Sequence, residues 1–426
     1  MEEVKKYQFK ISPEVILVSL LTVFSLIVRV INLDFPHGFM FDEIHRVVRA
    51  QKFLNHQVFI TDQPHFGRYL IVFGILTFGD NPIGWRITQV ISGTLLIPVL
   101  YLIGKKIFSH KYAGLLTAFF ATFDLSLVAY SRIGVVIIYQ VFFFALSILF
   151  FILGIENINR KSTVFFYLSA VITGLSISIK WTSLCLLPIF LFWRITKGDL
   201  NKFCVKSLVA GVLFLAIVLS SYTITFVGEK RNFEYYHQKY GMPYNNFIEG
   251  IVSWHKLAFD SHTREGMFHP YSSKWFTWPL MYRPVLLYQN IDVVNEKITR
   301  ILAIGNPVIR WLSTLAVIFQ LFLLLFKKEK IMIFLLSTYL ISFLPYAFIS
   351  RPMFLYHYLP SLLIQLLILE YTFVEIYKQK IILRSMLLLL VALIVFIFFY
   401  YYPFVSGLPV SFSEFKHRLW LKSWRE

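Results

Sequence analysis

Residues 13–32 read PEVILVSLLTVFSLIVRVIN, and runs of this kind decide the fold class of the chain. A helix rises about 1.5 Å per residue, so roughly twenty apolar residues cross a hydrocarbon core about 30 Å thick. Similar runs recur along the sequence, in which 57% of the residues are hydrophobic and 15% are charged. With a mean hydropathy of +0.66, this composition excludes an ordinary water-soluble globular protein. The sequence therefore predicts a polytopic membrane protein.

The apolar runs predict about eleven transmembrane helices in a single all-α membrane domain that covers residues 1–426. Two of the runs are separated only by Lys180 and Trp181, so we expect these two to form a hairpin. The predicted segments are 13–32, 87–104, 112–130, 133–154, 164–180, 181–194, 204–227, 307–326, 331–349, 353–376 and 382–403.

Lysine and arginine collect in the cytoplasmic loops of membrane proteins, so their positions predict the orientation. With the N-terminus inside, the cytoplasmic cations are Lys5, Lys6, Lys10, Lys105, Lys106, Lys111, Arg160, Lys161, Arg194, Lys197, Lys202, Lys327, Lys328, Lys330, Lys378, Lys380 and Arg384. The short outer turns then hold Arg132, Lys180 and Arg351. The net charge of +18 also includes a basic segment, KHRLWLKSWRE at 416–426. Its predicted partner is acidic membrane lipid and not nucleic acid.

This orientation places two long loops, 33–86 and 228–306, on the non-cytoplasmic side. The first contains FMFDEIHRVVRA at 39–50, where Asp42 and Glu43 begin a predicted amphipathic helix at the membrane interface. Its apolar stripe consists of Ile44, Val47, Val48 and Leu54. Neighbouring residues of a helix point about 100° apart, so one carboxylate can pair with Arg46 while the other faces a cleft. Alternatively, Asp42 caps the helix and Glu43 complements its dipole, with no chemical role for either.

The three outer cations, Arg132, Lys180 and Arg351, lie at predicted helix ends on one face of the membrane. A cation at this depth costs a few kcal/mol unless it reaches water, forms an ion pair or binds an anion. A shared lipid phosphate would satisfy all three, since it lies at headgroup height and accepts hydrogen bonds from Arg and Lys. The alternative is that each side chain simply extends to the interface.

Several strings resemble the protein O-mannosyltransferase family. They are FDEIHRVVRA at 41–50, FGDNPIGWR at 78–86, AYSRIG at 129–134, GLSISIKWTS at 174–183, HPYSSKWFTWP at 269–279 and RPMFLYHYLP at 351–360. They follow one another in the family's order over nearly the whole chain. The resemblance implies the GT-C glycosyltransferase fold and a polyprenyl-phosphate mannose or dolichyl-phosphate mannose donor. The large eukaryotic members insert a soluble MIR domain in the second outer loop, for which residues 228–306 leave no room.

The resemblance also implies roles for individual residues. Asp42 and Glu43 match the family's acidic pair, which implies that Asp42 serves as, or directly supports, the catalytic base and that Glu43 orients the site. Arg132 and Lys180 are implied as ligands of the donor phosphate, and the position of Arg351 makes it a candidate third ligand. The reaction is then an inverting transfer of mannose to Ser or Thr hydroxyls of exported proteins, in which the base accepts the hydroxyl proton.

Further substrate-binding residues are predicted in the outer loops and next to Lys180; they are Arg46, Asp62, His65, Arg68, Trp181, His269, Trp275, Trp278 and Arg283. Trp275 and Trp278 fit a platform for a sugar or peptide, or equally an anchor at the bilayer interface. His255, His262 and His269 recur every seven residues, but Pro270 and the lack of a known ligand string argue against a metal site. The sequence identifies no cofactor besides the lipid-linked sugar donor, and a divalent cation is compatible with these residues.

Two other functions remain open from sequence. A GT-C enzyme of the same donor class could act on a lipid or glycan, or transfer another sugar. A transporter is disfavoured, because transporters place polar residues near the middle of the membrane and often contain repeats. Asp124 is the main intramembrane exception, and it could also be a second acidic group near the site.

We expect a plasma-membrane protein with an outer active site, or an ER protein in a eukaryote. A dimer is compatible with the sequence.

Overall fold

The computed structural model describes residues 12–110, 112–156, 159–197, 205–263, 269–378 and 381–424. Most of them are helical. The α-helices are α1 (Pro13–Val30), α2 (Glu43–Leu54), α3 (Phe66–Phe78), α4 (Pro82–Ile107), α5 (Leu115–Thr122), α6 (Leu125–Tyr130), α7 (Ile137–Ile155), α8 (Arg160–Ile177), α9 (Leu186–Lys197), α10 (Val205–Thr223), α11 (Lys230–Tyr240), α12 (Phe247–Thr263), α13 (Pro307–Leu323), α14 (Lys330–Phe343), α15 (Leu359–Tyr377), α16 (Ile381–Tyr401), α17 (Pro403–Ser406) and α18 (Phe412–Arg418). Short 3₁₀ turns extend or join several of them.

Each of the eleven predicted apolar segments contains helix, so the predicted helical membrane fold is confirmed. By length and composition, seven helices in the described ranges can cross a membrane, and shorter apolar helices lie at Phe66–Phe78, Trp181–Thr196 and Pro307–Leu323. A break lies where the hairpin was predicted: α8 ends at Ile177 and a 3₁₀ turn starts at Trp181. On either side of the break, α8 packs on α7 and α10, whereas α9 packs on α14. The predicted segment 112–130 is interrupted, because Asp124 caps a new helix, α6, with its side chain.

The core lies around α15, which is buried along most of its length between α13, α14 and α5. A helix that is apolar on all sides is expected in such a central position. By contrast, α1 and α16 expose many large apolar side chains, such as Leu20 and Leu389. An apolar outer surface of this kind is what a hydrocarbon solvent permits.

Within the core, Asp124 binds Arg310 at 2.9 Å and both side chains are fully buried. Asp124 is therefore an internal ion-pair partner, which gives this intramembrane carboxylate a structural role.

A small antiparallel sheet in the second outer loop was missing from the predicted all-α domain. Its strands are β1 (Val285–Asp292), β2 (Lys297–Ala303) and β3 (Val410–Ser411), in the order β1-β2-β3. β1 pairs with β2 from Val285 opposite Ala303 to Asp292 opposite Lys297. The sheet thus ties the C-terminal segment to the second outer loop.

The basic segment near the C-terminus packs on protein, although lipid was its predicted partner. Arg418 donates from Nε to the carbonyl oxygen of Tyr400 at 2.8 Å. Trp424 is buried and donates from Nε1 to the carbonyl oxygen of Met281 at 2.8 Å. These contacts hold the segment beside the sheet.

Helix α2 has the predicted position but a different buried face. Val47 and Ala50 are buried, whereas Ile44 of the predicted stripe is 52% exposed.

Several residues used to predict the orientation lie outside the described residues; they are Lys5, Lys6, Lys10, Lys111, Lys202 and Lys380.

Candidate active site at the outer helix ends

Asp42 occupies the N-cap position of α2, but its side chain makes no capping hydrogen bond. The alternative in which this carboxylate serves only as a cap therefore does not describe the structure. Among the residues that the structure describes, none donates a hydrogen bond to it, and it interacts electrostatically with Lys180, Tyr130 and Tyr356. An accessible carboxylate with open acceptor positions can take a proton from a hydroxyl group.

Glu43 points in a different direction from Asp42 and is completely buried. Arg86 binds it with two hydrogen bonds, Nε to Oε1 at 2.8 Å and Nη2 to Oε2 at 2.9 Å. The backbone N–H groups of Met40 and Gly134 donate to the same carboxylate at 3.0 and 2.6 Å. The predicted partner, Arg46, is thus wrong; the partner is Arg86, which the sequence places in the quoted string FGDNPIGWR. This bidentate pair fixes the start of α2 against α4.

Gly134 gives the acidic pair close access to the α6–α7 connection. A Cβ atom at this position would lie 3.1 Å from the carbonyl oxygen of Trp85 and 3.2 Å from Oε1 of Glu43. These contacts are tight, so a side chain here would require its neighbours to move by a few tenths of an ångström.

Lys180 lies in the connection between α8 and the following turn, close to Arg351, Arg46 and Asp42. Its ammonium group is 4.8 Å from the ring centroid of Tyr356. Burial, and then the charges of Arg351 and Arg46, lower the pKa of Lys180 to about 7, with Asp42 acting in the opposite direction. Three cations outnumber one carboxylate here, so the cluster is suited to bind an anion. The structure brings together these four predicted site residues.

Arg132 has a different role from the predicted one. Its guanidinium group donates only to carbonyl oxygens, at distances from 2.6 to 3.4 Å, and the side chain is 4% exposed. The acceptors are Val28, Arg29, Ile31, Asn32, Val405 and Ser406. They lie at the C-terminal ends of α1 and α17, where helices leave carbonyl groups unsatisfied and the dipole favours a cation. Arg132 therefore joins these helix ends, and its donors are not available to a phosphate.

Arg351 is connected to the first outer loop through α12. Its Nη1 donates to Nδ1 of His262 at 2.7 Å, and Nε2 of His262 is 3.0 Å from the carbonyl oxygen of Asp62. Because Arg can only donate, Nδ1 must accept and Nε2 must carry the proton. Burial and then Arg351 lower the pKa of His262, in agreement with a neutral ring. The Asp62 carboxylate itself accepts from Ser261 at 3.1 Å.

Trp181 lies in an aromatic cluster beside this chain. Its Nε1 donates to the hydroxyl of Tyr222 at 3.0 Å, and that hydroxyl is 2.7 Å from Nε2 of His255. The Trp181 ring stacks on His255 with centroids 5.8 Å apart and meets His262 edge-on at 5.7 Å. One continuous helix, α12, carries both histidines, while His269 lies beyond it. The cluster holds α12 against the Lys180 turn.

His65 and Arg68 were predicted to bind substrate, but both contact Glu229, a residue that sequence reasoning missed. Nδ1 of His65 is 3.6 Å from Glu229, and Arg68 forms a buried ion pair with the same carboxylate. Burial lowers the pKa of His65 to about 3, so its ring is neutral. Asn232 also donates to Glu229, at 2.8 Å. These side chains therefore link the two outer loops, and the GEKRNFEYY string at 228–236 was the available signal.

The remaining predicted substrate-binding residues lie in the part of the chain between α12 and β1. Trp278 is completely buried, donates to Ser273 at 3.0 Å and stacks on His357, which contradicts both the platform and the bilayer anchor. Trp275 is half-buried against Phe343. His269 accepts from the backbone N–H of Tyr271 at 3.2 Å. Arg283 lies between the 3₁₀ turn Trp275–Leu280 and β1.

No group of three or more His, Cys, Asp or Glu side chains within the described ranges is arranged to hold a metal ion.

Two family models match the sequence. The model described as dolichyl-phosphate-mannose-protein mannosyltransferase matches residues 62–224. The model described as the C-terminal four TMM region of protein-O-mannosyltransferase matches residues 247–424. Together they cover more than half of the chain.

Individual relatives agree with the family models. The polyprenol-phosphate-mannose–protein mannosyltransferase of Mycolicibacterium smegmatis is 22% identical over 481 residues, which cover 96% of this chain and 92% of the relative. The protein of the same name from Corynebacterium glutamicum is 24% identical over 409 residues, with coverages of 80% and 78%. The fold is similar to the structure of the S. cerevisiae protein O-mannosyltransferase Pmt1-Pmt2 complex bound to the sugar donor. That likeness has a TM-score of 0.84 at 14% identity, over 98% of this chain and 93% of the other.

Proposed function

The chain belongs to the protein O-mannosyltransferase family, and on that premise we propose that Asp42 is the catalytic base of a mannosyl transfer at the outer face of the membrane. The donor is polyprenyl-phosphate mannose and the acceptors are Ser and Thr hydroxyls of exported proteins. The observation that carries this proposal is the position of the Asp42 carboxylate, uncapped and beside the cluster of Lys180, Arg351 and Arg46.

The proposed reaction is a single displacement. The acceptor oxygen forms a bond to the anomeric carbon of mannose while the bond from that carbon to the phosphate oxygen breaks. The hydroxyl proton moves to Asp42, and the bonding electron pair leaves with the polyprenyl phosphate. A positioned base of this kind contributes roughly 10²–10⁴-fold in rate. The result is inversion at the anomeric carbon.

The leaving phosphate is already anionic, so it requires cations and no general acid. Lys180 and Arg351 supply them, and Arg46, one turn along α2 from Asp42, adds a third. Arg132 is excluded from this set because its donors bind carbonyl oxygens. The phosphate would also restore the charge of Lys180, since a nearby anion raises the pKa of an ammonium group.

Glu43 acts as a positioning residue in this account. Its buried pair with Arg86 fixes the first turn of α2 and so the direction of Asp42. The site faces the non-cytoplasmic side in the orientation that the cation distribution predicts. In a prokaryote this is the outer face of the plasma membrane, where exported polypeptides emerge.

The product of the reaction tests this function. Purified protein is incubated with radiolabelled polyprenyl-phosphate mannose and a peptide that contains Ser and Thr, and the label is followed into peptide, lipid and glycan fractions. We expect the label in the peptide. Label that enters only lipid or glycan would refute a protein acceptor and favour the alternative GT-C activity. The same assay with a chelator tests whether a divalent cation is needed.

A further inference from the structure

Residues 57–61 form a chain segment that returns along α2 after the turn at Asn55 and His56. Phe59 and Thr61 are buried, whereas Val58 and Ile60 are 36% and 45% exposed. This two-residue alternation is that of an extended strand. The inner edge is bound to α11: Phe59 N–H donates to Asn232 at 3.1 Å, and Thr61 N–H donates to the Tyr236 hydroxyl at 3.1 Å.

The other edge of this segment is open. In the part of the chain that the structure describes, the backbone N–H and C=O groups of Val58 and Ile60 bind no partner. Successive residues of an extended chain direct these groups to opposite sides, so they face away from α11. An open strand edge is a template for another strand.

A groove of about 330 Å³ runs between this segment and α2. Val58 and Ile60 line one side, and Ile44, Arg49 and Lys52 line the other. The occupant therefore meets apolar side chains, two cations and unpaired backbone groups. An acyl chain would leave those backbone groups and charges unsatisfied, at a cost of several kcal/mol each. An extended peptide satisfies all three features.

Both walls of the groove lead to the candidate active site. Asp42 begins α2, and Lys52 lies ten residues further, which is about 15 Å along a helix axis. An extended peptide covers this distance with four or five residues at about 3.3 Å each. The opposite wall continues to Asp62, which His262 connects to Arg351.

We propose that this groove binds the acceptor polypeptide as an added β-strand along Val58 and Ile60, which places its Ser or Thr at Asp42. The inference rests on the proposed function. Main-chain hydrogen bonds give the affinity in this mode, and alternate side chains give the selectivity. Arg49 and Lys52 favour acidic residues in the four or five positions that flank the acceptor hydroxyl.

Binding measured without donor tests the strand edge. A fluorescent acceptor peptide with Ala in place of Ser cannot react, and its Kd is determined with the full-length protein. Methylation of single peptide nitrogens removes one backbone hydrogen-bond donor of the peptide at a time. We expect losses of about tenfold at every second residue, because the methyl group removes a hydrogen bond and clashes with the strand edge. Equal losses at all positions, or none, would overturn the proposal.

Protein variants provide the complementary arm. Ile60→Pro removes the open N–H and should weaken peptide binding about tenfold, whereas Ile60→Ala keeps it and should bind within a few-fold of the wild type. Lys52→Glu should reverse the preference between Glu-rich and Lys-rich flanks, while Lys105→Glu at the cytoplasmic end should not. Unchanged affinity in Ile60→Pro would contradict a peptide groove. Thiol labelling of Ile60→Cys that is blocked by lipid but not by peptide would contradict it as well.

The two proposals fail in different ways. Peptide that binds with the two-residue pattern but receives no mannose would refute the proposed function and support the strand edge. Peptide that is mannosylated without that pattern would refute the strand edge alone.

Discussion

At the scale of single residues, the adjacent carboxylates have separate environments. Glu43 is buried in its pair with Arg86, and Asp42 remains open toward Lys180. This follows from helix geometry, since neighbours about 100° apart cannot face one cleft together. The same reasoning cannot choose between them, because the choice depends on Arg86, which is distant in sequence. We infer that Asp42 acts on substrate and Glu43 acts through position.

Lys180→Ala should weaken donor use more than acceptor use. Removal of one cation from the phosphate site raises the apparent KM for polyprenyl-phosphate mannose, while the KM for the peptide stays near the wild-type value. Steady-state kinetics with each substrate varied in turn measures both. Lys105→Ala, which removes a partly exposed ion pair with Glu14, is the matched control. An unchanged donor KM in Lys180→Ala would count against Lys180 as a ligand.

The pH dependence of donor binding is a second consequence of Lys180. Burial and the neighbouring cations lower its pKa to about 7, so the ammonium form, which binds the phosphate, is dominant only below pH 7. Donor affinity should therefore fall by up to about tenfold per pH unit above that value. Lys180→Arg keeps its charge, so its donor Kd should be much less sensitive between pH 7 and 9. Equal pH profiles for the two proteins would contradict this explanation.

At the scale of elements, buried cations connect helices that are far apart in sequence. Arg86 connects α4 to α2, Arg132 connects α6 to the ends of α1 and α17, and Arg310 connects α13 to α6. Each has its partners within the protein. These side chains therefore determine the arrangement of the outer helix ends around the site.

Breaking the Glu43–Arg86 pair should destabilise the protein strongly. Arg86→Met leaves an unpaired buried carboxylate, which costs about 3–5 kcal/mol. Lys105→Met removes a largely exposed pair with Glu14 and should cost less than about 1 kcal/mol. Thermal unfolding of the purified proteins in detergent compares the two. Similar losses in Tm would show that the buried pair does not organise α2.

Sequence reasoning succeeded where local pattern was sufficient. Hydropathy located eleven segments that each contain helix. Topology with family resemblance predicted that Asp42, Lys180 and Arg351 lie near one another, as they do, and their roles stay predictions. It failed for Arg132, because a guanidinium at a helix end can bind either a ligand or carbonyl groups and only the fold decides. Glu229 was missed since its partners, His65 and Arg68, are distant in sequence. The sheet was missed although β1 and β2 are neighbours in sequence; only its third strand, from the C-terminal segment, is distant.

At the scale of the whole molecule, the polar elements gather on one side of the helical bundle. There α11 contacts α12, Glu229 binds Arg68 of α3, and Trp254 of α12 donates to the carbonyl oxygen of Thr61. β3 brings the C-terminal segment to the sheet of the second outer loop. An N-terminus inside and an odd number of crossings would place all these elements outside. The active site and the acceptor groove then share that side.

Cysteine labelling tests this orientation. In a chain with Cys185 and Cys204 replaced by Ser, Val294→Cys presents a thiol at the hairpin tip, where the side chain is 92% exposed. A membrane-impermeant maleimide should label it in intact cells. Lys328→Cys, between α13 and α14, should react only after the cells are opened. The reverse pattern would place the site in the cytoplasm and contradict transfer to exported proteins.

The most direct test of the central claim is the rate of mannose transfer by Asp42→Asn. The substitution keeps the shape of the side chain and removes its ability to accept a proton. We expect kcat to fall by about 10²–10⁴-fold while donor binding, measured separately, is retained. Asp34→Asn, a half-exposed carboxylate in the same outer loop, should transfer at the wild-type rate. Wild-type turnover by Asp42→Asn would show that another group is the base.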